Sequence, residues 1–221
     1  MSKNLLIDYT TFNVSPQLVI ESERKHGGKV VVTGCLQRAN SKNQNGRVYP
    51  KEILTRENDR YQEVIKKGSA ISELNHPESS LIDLERTSHI ITETYWDENR
   101  LIGKMKLLTS PGYIKEGIIS CVGDMAANLL RQGVTLGISS RGVGSLKKVG
   151  EHNEVQDDFE LVCFDLVSSP STPGSYLFKN EGDADTVDEK SIVPESKGSE
   201  QTVNVTKSVN LMNRLNNFLT K

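Results

Sequence analysis

Neither basic nor acidic residues dominate this chain. Its 27 Lys and Arg residues against 29 Asp and Glu leave a formal net charge of -2, which gives no general attraction to nucleic acid or to an anionic membrane. No apolar run approaches the length of a membrane span. The N-terminus, with Lys3 ahead of the short Leu5-Leu6-Ile7, lacks the long apolar core of a signal peptide. Cysteines number three, Cys35, Cys121 and Cys163, widely spaced, in no C-x-x-C pair and flanked by apolar neighbours. That pattern excludes a secreted disulfide framework and predicts reduced core thiols in a cytoplasmic protein. No His/Cys/Asp/Glu cluster has metal-ligand spacing, so no cofactor is expected. Aromatics are few at 5%, and there is no internal repeat.

What is present suits a soluble globular chain: 35% hydrophobic and 25% charged residues over 221 positions, enough for one sizeable domain, or one domain with an appendage. Residues 29–36, rich in Val and Thr, read as a buried strand. From Lys51, apolar residues at helical spacing predict a helix to about Lys67, ended by Gly68. Residues 87–96 and 100–108 read as a hairpin around Asp97-Glu98-Asn99. Residues 112–132 place Ile114, Ile118, Val122, Met125, Ala126, Leu129 and Leu130 at three- and four-residue steps, predicting one amphipathic helix closed by Gly133. Residues 134–149 and 159–168 read as strands around a polar turn at 150–158. Residues 181–202 are too poor in large apolar residues to offset their ordering entropy and read as a linker. Val205, Val209, Met212, Leu215 and Leu219 then line one face of a C-terminal helix.

Two short segments carry chemistry. Glu73-Leu74-Asn75-His76-Pro77 and Gly137-Ile138-Ser139-Ser140-Arg141-Gly142 set a His and a Ser each in a restricted backbone, and Pro77 confines His76 to extended geometry. A serine hydroxyl is inert near neutral pH until an imidazole takes its proton, so the pair points to acyl transfer. Gly137 and Gly142 are expected to admit a substrate backbone beside Ser139, and the amides of Ser140, Arg141 and Gly142 to meet an oxyanion. Ser140 competes with Ser139 as nucleophile. The second Gly comes one place too late for a G-x-S-x-G elbow, which disfavours the lipase and esterase fold. Asp165 sits in the apolar Cys163-Phe164-Asp165-Leu166-Val167, where a carboxylate needs a partner and an imidazolium would serve. It could equally be a structural carboxylate paired with Arg or Lys. His89 reads as a core or surface histidine, His26 and His152 as solvated. Arg141-Gly142-Val143-Gly144-Ser145 lacks the Gly-Lys-Ser/Thr ending of a phosphate loop.

Together with Asn43-Gln44-Asn45-Gly46-Arg47-Val48-Tyr49-Pro50 and with Asp165-Leu166-Val167 ahead of Pro170-Ser171, these segments resemble, in order and spacing, the prohead core proteases of T-even-type tailed phages. The resemblance covers roughly residues 30–174. It implies an α+β fold like herpesvirus assemblin, an antiparallel β-barrel flanked by helices. It also implies a serine endopeptidase, free of cofactors, acting in the host cytoplasm inside the immature prohead. Such an enzyme cleaves phage scaffold, major capsid and internal core proteins, and itself, after Glu in an aliphatic-x-Glu motif. His76 matches the family's base and Ser139 its nucleophile, Asp165 stands where the family has an Asp, and Ser140, Arg141 and Gly142 match the segment just after the nucleophile. Val193-Pro194-Glu195 offers a self-cleavage point after Glu195. The organisation expected is an N-terminal extension (1–28), a protease domain (29–180), a linker (181–203) and a C-terminal helix (204–221). Partners are protein substrates, with neither nucleic acid nor membrane, compatible with homo-oligomerisation. The alternatives are a non-catalytic prohead scaffold protein of the same fold and a hydrolase of small esters or amides.

Overall fold

Pro50 fixes where the first long helix begins. Its φ of -58° and ψ of 141° are extended, and it brings no N–H that would need a partner. The helix α2 (Lys51–Lys66) then buries Ile53, Leu54 and Tyr61 and stops where Gly68 takes a φ of 69°. The computed structural model describes residues 3–12, 15–75, 77 and 79–168, residues 9–12 by backbone alone, all within one unit, Met1–Asp183.

The hairpin forms as its sequence predicts. Strands β5 (Thr87–Asp97) and β6 (Arg100–Leu107) pair antiparallel down to Asp97 opposite Arg100, with Glu98 at a φ of 49° in the turn. Strand β2 (Val31–Arg38) adds to β6 and β4 (Ile71–Glu73) adds to β5, giving the sheet order β2-β6-β5-β4. A second sheet places β7 (Leu136–Gly144) between β1 (Asn4–Phe12) and β10 (Glu160–Val167), antiparallel to both. The third joins β3 (Arg47–Val48), β9 (His152–Val155) and β8 (Leu146–Val149), with β3 and β9 parallel.

The main core lies between the first two sheets and gathers Leu36, Ile91, Met105, Ile138, Phe164 and Leu166. Helices α1 (Pro16–Lys25) and α4 (Val122–Arg131) close it with Val19, Ala126 and Leu130. A smaller cluster unites Leu6, Tyr49, Leu54, Val155 and Phe159. Burying a Leu or Phe stabilises by about 1.5–3 kcal/mol each, so the middle strand β7, with Leu136 and Ile138 in the main core, is held on one face by packing and along both edges by hydrogen bonds.

Several expectations need correction. The sheets do not close into a barrel among the described residues. The four-stranded sheet meets β10 through a single parallel bridge, Leu74 with Leu166; the architecture is mixed α+β with mainly antiparallel sheets. The predicted helix at 112–132 is two helices, α3 (Pro111–Glu116) and α4. Gly117 at a φ of 70° caps the first. The Asp124 carboxylate then gathers the amides of Ser110 at 2.6 Å, Ser120 at 2.9 Å and Cys121 at 3.2 Å. Burial opposes that charge, but the amides of Ser110 and Ser120 hold the Asp124 carboxyl down at about 2. Ile118 and Met125, placed on the buried stripe by periodicity, are half exposed. Cys121 caps α4 from an exposed position, whereas Cys35 and Cys163 are buried as expected. The polar turn at 150–158 contains β9, and the strand expected over 134–149 breaks at Ser145, whose N–H and hydroxyl both donate to Asp158 Oδ1. The N-terminal stretch is built into the second sheet, with β1 paired to β7 over nine residues.

Candidate active site

In β7 successive side chains point to opposite faces, so Ser139 and Ser140 diverge. Ser139 lies opposite Asp165 on β10 and opposite Tyr9 on β1; Ser140 lies opposite Phe164 and Asp8. The Ser140 hydroxyl accepts from Gln37 Nε2 at 2.8 Å and is thereby committed to structure. The Ser139 side chain is fully buried and its Oγ has no hydrogen-bond partner among the described residues. A buried hydroxyl left unpaired costs about 1–3 kcal/mol, and such a cost concentrates where function needs the group.

Arg141, two residues on and therefore on the Ser139 face, is the largest fully buried side chain among the described residues. Its guanidinium donates to Glu73 Oε1 at 2.9 Å and to the carbonyls of Ser79 at 2.9 Å and Leu81 at 3.2 Å, and it pairs with Asp165 Oδ2 at 3.0 Å. Both carboxylates are fully buried. Burial opposes the charge, but the Cys163 sulfur, Glu73 and Asp165 together raise Arg141 above its ordinary value. Burial pushes the Asp165 carboxyl up, against the pull of the Glu73 amide and Arg141.

This ion cluster aims the segment that leads to His76. Asp165 Oδ1 accepts the amide of Glu73 at 3.0 Å. Leu74 bridges Leu166, and the amide of Asn75 donates to the Leu166 carbonyl at 2.6 Å. Asn75 adopts a left-handed φ of 63°, a conformation Asn tolerates better than most residues, while Arg86 donates to the carbonyls of Leu74 and Asn75. The chain is thus pinned to β10, immediately beside the Ser139 strand, through the residue before His76. His76 itself and Glu195 lie outside the described residues.

The amides of Ser140, Arg141 and Gly142, expected to face an oxyanion, run inside a strand paired on both sides, with β10 carrying an extra residue, Val162, opposite Arg141 and Gly142. Gly142 is required by packing: a Cβ there would meet Phe159 at 2.4 Å and the Glu160 carbonyl at 2.7 Å. Sequence reasoning missed the roles of Glu73 and Gln37. Glu73 stood inside the His76 segment and carried the only available signal, an acid beside a candidate base.

His89 belongs to the scaffold beneath the site. Its Nε2–H donates to the Phe164 carbonyl at 2.8 Å, which leaves Nδ1 to accept from Ser88 Oγ at 2.8 Å. Burial lowers its pKa to about 4. Below about pH 6.5 the unfolded chain takes up a proton that the folded chain refuses, so stability from this group is complete above that pH and is lost as pH falls toward 4. The full loss is on the order of 3 kcal/mol. Thermal unfolding from pH 7 to 4 is expected to show this decline, and His89→Gln to flatten it; an unchanged slope in the variant would remove His89 as its source.

A family model described as prohead core protein serine protease matches residues 15–186, beginning after β1 ends. The prohead core protein protease of Enterobacteria phage T4 is 33% identical over 153 residues, covering 68% of each chain. The solved structure of the bacteriophage T4 capsid assembly protease aligns with a TM-score of 0.62 at 26% identity, covering 77% of this chain and all of that one. The Ser139 strand, the segment leading to His76 and these likenesses converge, and the chain belongs to the prohead core protein serine protease family.

Proposed function

We propose that this protease matures the phage prohead, cutting scaffold, major capsid and internal core proteins, and itself, after Glu in aliphatic-x-Glu sequences. The observation that carries the reading is the buried hydroxyl of Ser139, unpaired among the described residues and directly across from Asp165 on a strand whose neighbour anchors the segment leading to His76. His76 takes the Ser139 proton as the oxygen attacks the peptide carbonyl, then passes it to the leaving amine, and water releases the acyl group. Asp165 holds the third position by fixing Glu73, three residues before His76. Donors for the oxyanion come from the backbone of residues 140–142, which is paired to β1 and β10 and is freed only where one of those strands gives way. The α+β layout is consistent with descent shared with herpesvirus assemblin. The enzyme works inside the assembling capsid.

A serine-directed phosphonate is expected to label Ser139 of the purified protein, and peptides with an internal Glu to be cut on its carboxyl side while their Gln counterparts are spared. Mass spectrometry of active material is expected to find the chain severed after Glu195. Unlabelled Ser139 together with intact peptides would instead favour a structural scaffold protein.

A further inference from the structure

Outside the Ser139 cluster, Asp8 on the edge strand β1 is fully buried and gathers four side-chain donors. Its Oδ1 accepts from Asn43 Nδ2 at 2.6 Å, Asn45 Nδ2 at 2.9 Å and Arg47 at 3.3 Å, and its Oδ2 accepts from the Tyr49 hydroxyl. Burial first, and then the Asp8 charge, keep the Tyr49 phenol well above its ordinary pKa, so it stays a donor. Asn45 and Arg47 also donate to the backbone carbonyl of Ile7 at 3.0 and 2.9 Å. Four side chains from one seven-residue stretch thus grip an acid and the peptide unit before it. Unlike the helix-cap donors of Asp124, this set bonds both the acid and the backbone of an extended strand, which is what reading an acidic peptide requires: charge-assisted bonds identify the acid and backbone bonds fix its register.

The strand that delivers Asp8 lies where a substrate would. β1 pairs along the edge of β7 that β10 does not cover, and Asp8 and Tyr9 stand opposite Ser140 and Ser139. Leu6, two residues before the acid and on the same face, is buried in the small cluster with Tyr49, Val155 and Phe159, whereas Ile7 is only partly covered. The strand thus presents a buried apolar residue, a partly covered one and a buried acid, in that order. Resting on the protease reading above, that order coincides with the aliphatic-x-Glu sequence proposed there.

We propose that Asn43, Asn45, Arg47 and Tyr49 form the subsite that reads the acidic side chain of a polypeptide strand, and that Leu6-Ile7-Asp8 occupies it as an internal stand-in which substrate displaces. Displacement frees the β7 edge, including amides beside Ser139, to pair with the incoming chain. An Asp in place of Glu, one methylene shorter, suits an occupant that must leave.

The test uses the full chain with Ser139→Ala, so that bound peptide survives, and a labelled peptide with a central Leu-Ala-Glu beside its Leu-Ala-Gln counterpart. Fluorescence anisotropy is expected to favour the Glu peptide by about tenfold, and Asp8→Asn to tighten its binding by a similar factor. Adding Arg47→Ala to Asp8→Asn is expected to erase the Glu/Gln difference. Hydrogen exchange needs no change at Asp8: saturating Glu peptide should deprotect the amides of β1. Peptide binding with β1 still protected, or equal affinity for the two peptides, overturns the assignment. If Ser139 in the parent chain still takes the phosphonate under that result, only this inference falls. If the peptide opens β1 while Ser139 never reacts, this inference stands and the protease mechanism falls.

Discussion

Full-length protein carrying Ser139→Ala is expected to lose peptide cleavage by at least about 10⁴-fold yet to unfold at a temperature no lower than the parent. The two halves have one cause. The hydroxyl is buried without a partner among the described residues, so it contributes nothing to the fold that an alanine methyl cannot replace, and its removal relieves an unmet polar group. On the proposed mechanism, activity depends on the same oxygen as nucleophile. Ser140 looks interchangeable in sequence but faces the other way and is bonded to Gln37. Ser140→Ala should therefore retain cleavage while losing about 1 kcal/mol of stability, since the Gln37 amide is left short of an acceptor. A peptide assay paired with thermal unfolding reads all four numbers. An active Ser139→Ala, or an inactive but folded Ser140→Ala, would move the nucleophile to the other serine.

The parts of this molecule legible in its sequence are those whose cause is local. Pro50 and Gly68 bracket α2, and Glu98 with Asn99 joins β5 to β6, because turn and cap chemistry acts over a few residues. Periodicity misled at 112–132 for a physical reason: three- and four-step spacing runs unbroken through Ile118, but Gly117 and the three amides collected by Asp124 end one helix and start another. Strand β9 has one apolar residue among His152, Asn153, Glu154 and Val155, too few to show a period of two. The first strand was hidden because its reason to form is long-range. Nothing in Leu5-Leu6-Ile7-Asp8 names residues 140–143 as partners, or the donors between Asn43 and Tyr49. The candidate site follows the same division. The His76 and Ser139 segments stood out as local restraints, whereas the charge cluster that positions them is assembled across 68 residues from Glu73 to Arg141.

That cluster sets the second large effect. Arg141→Met keeps the unbranched apolar stem of the side chain but withdraws the cation from two fully buried carboxylates and the donors from two loop carbonyls. Breaking a buried pair by removing one partner costs about 3–5 kcal/mol, because Glu73 and Asp165 remain in a site that cannot solvate them. Arg141→Lys should recover little, since one ammonium cannot serve two carboxylates and two carbonyls in fixed directions. A double change, Arg141→Met with Glu73→Gln, should recover part of the loss by removing one stranded charge, and the shortfall from additivity in a double-mutant cycle measures the coupling. Catalysis is expected to fall further than stability explains. With Asp165 no longer anchored, the Glu73 amide loosens, and with it the chain up to Asn75, the segment that the proposed mechanism relies on to present the base. Denaturant titration gives the stability term, and kcat at a temperature where every variant is folded gives the positioning term. A variant Arg141→Met as stable as the parent would mean that the two carboxylates take up protons instead of needing the cation, and the site would then owe its geometry to strand pairing alone.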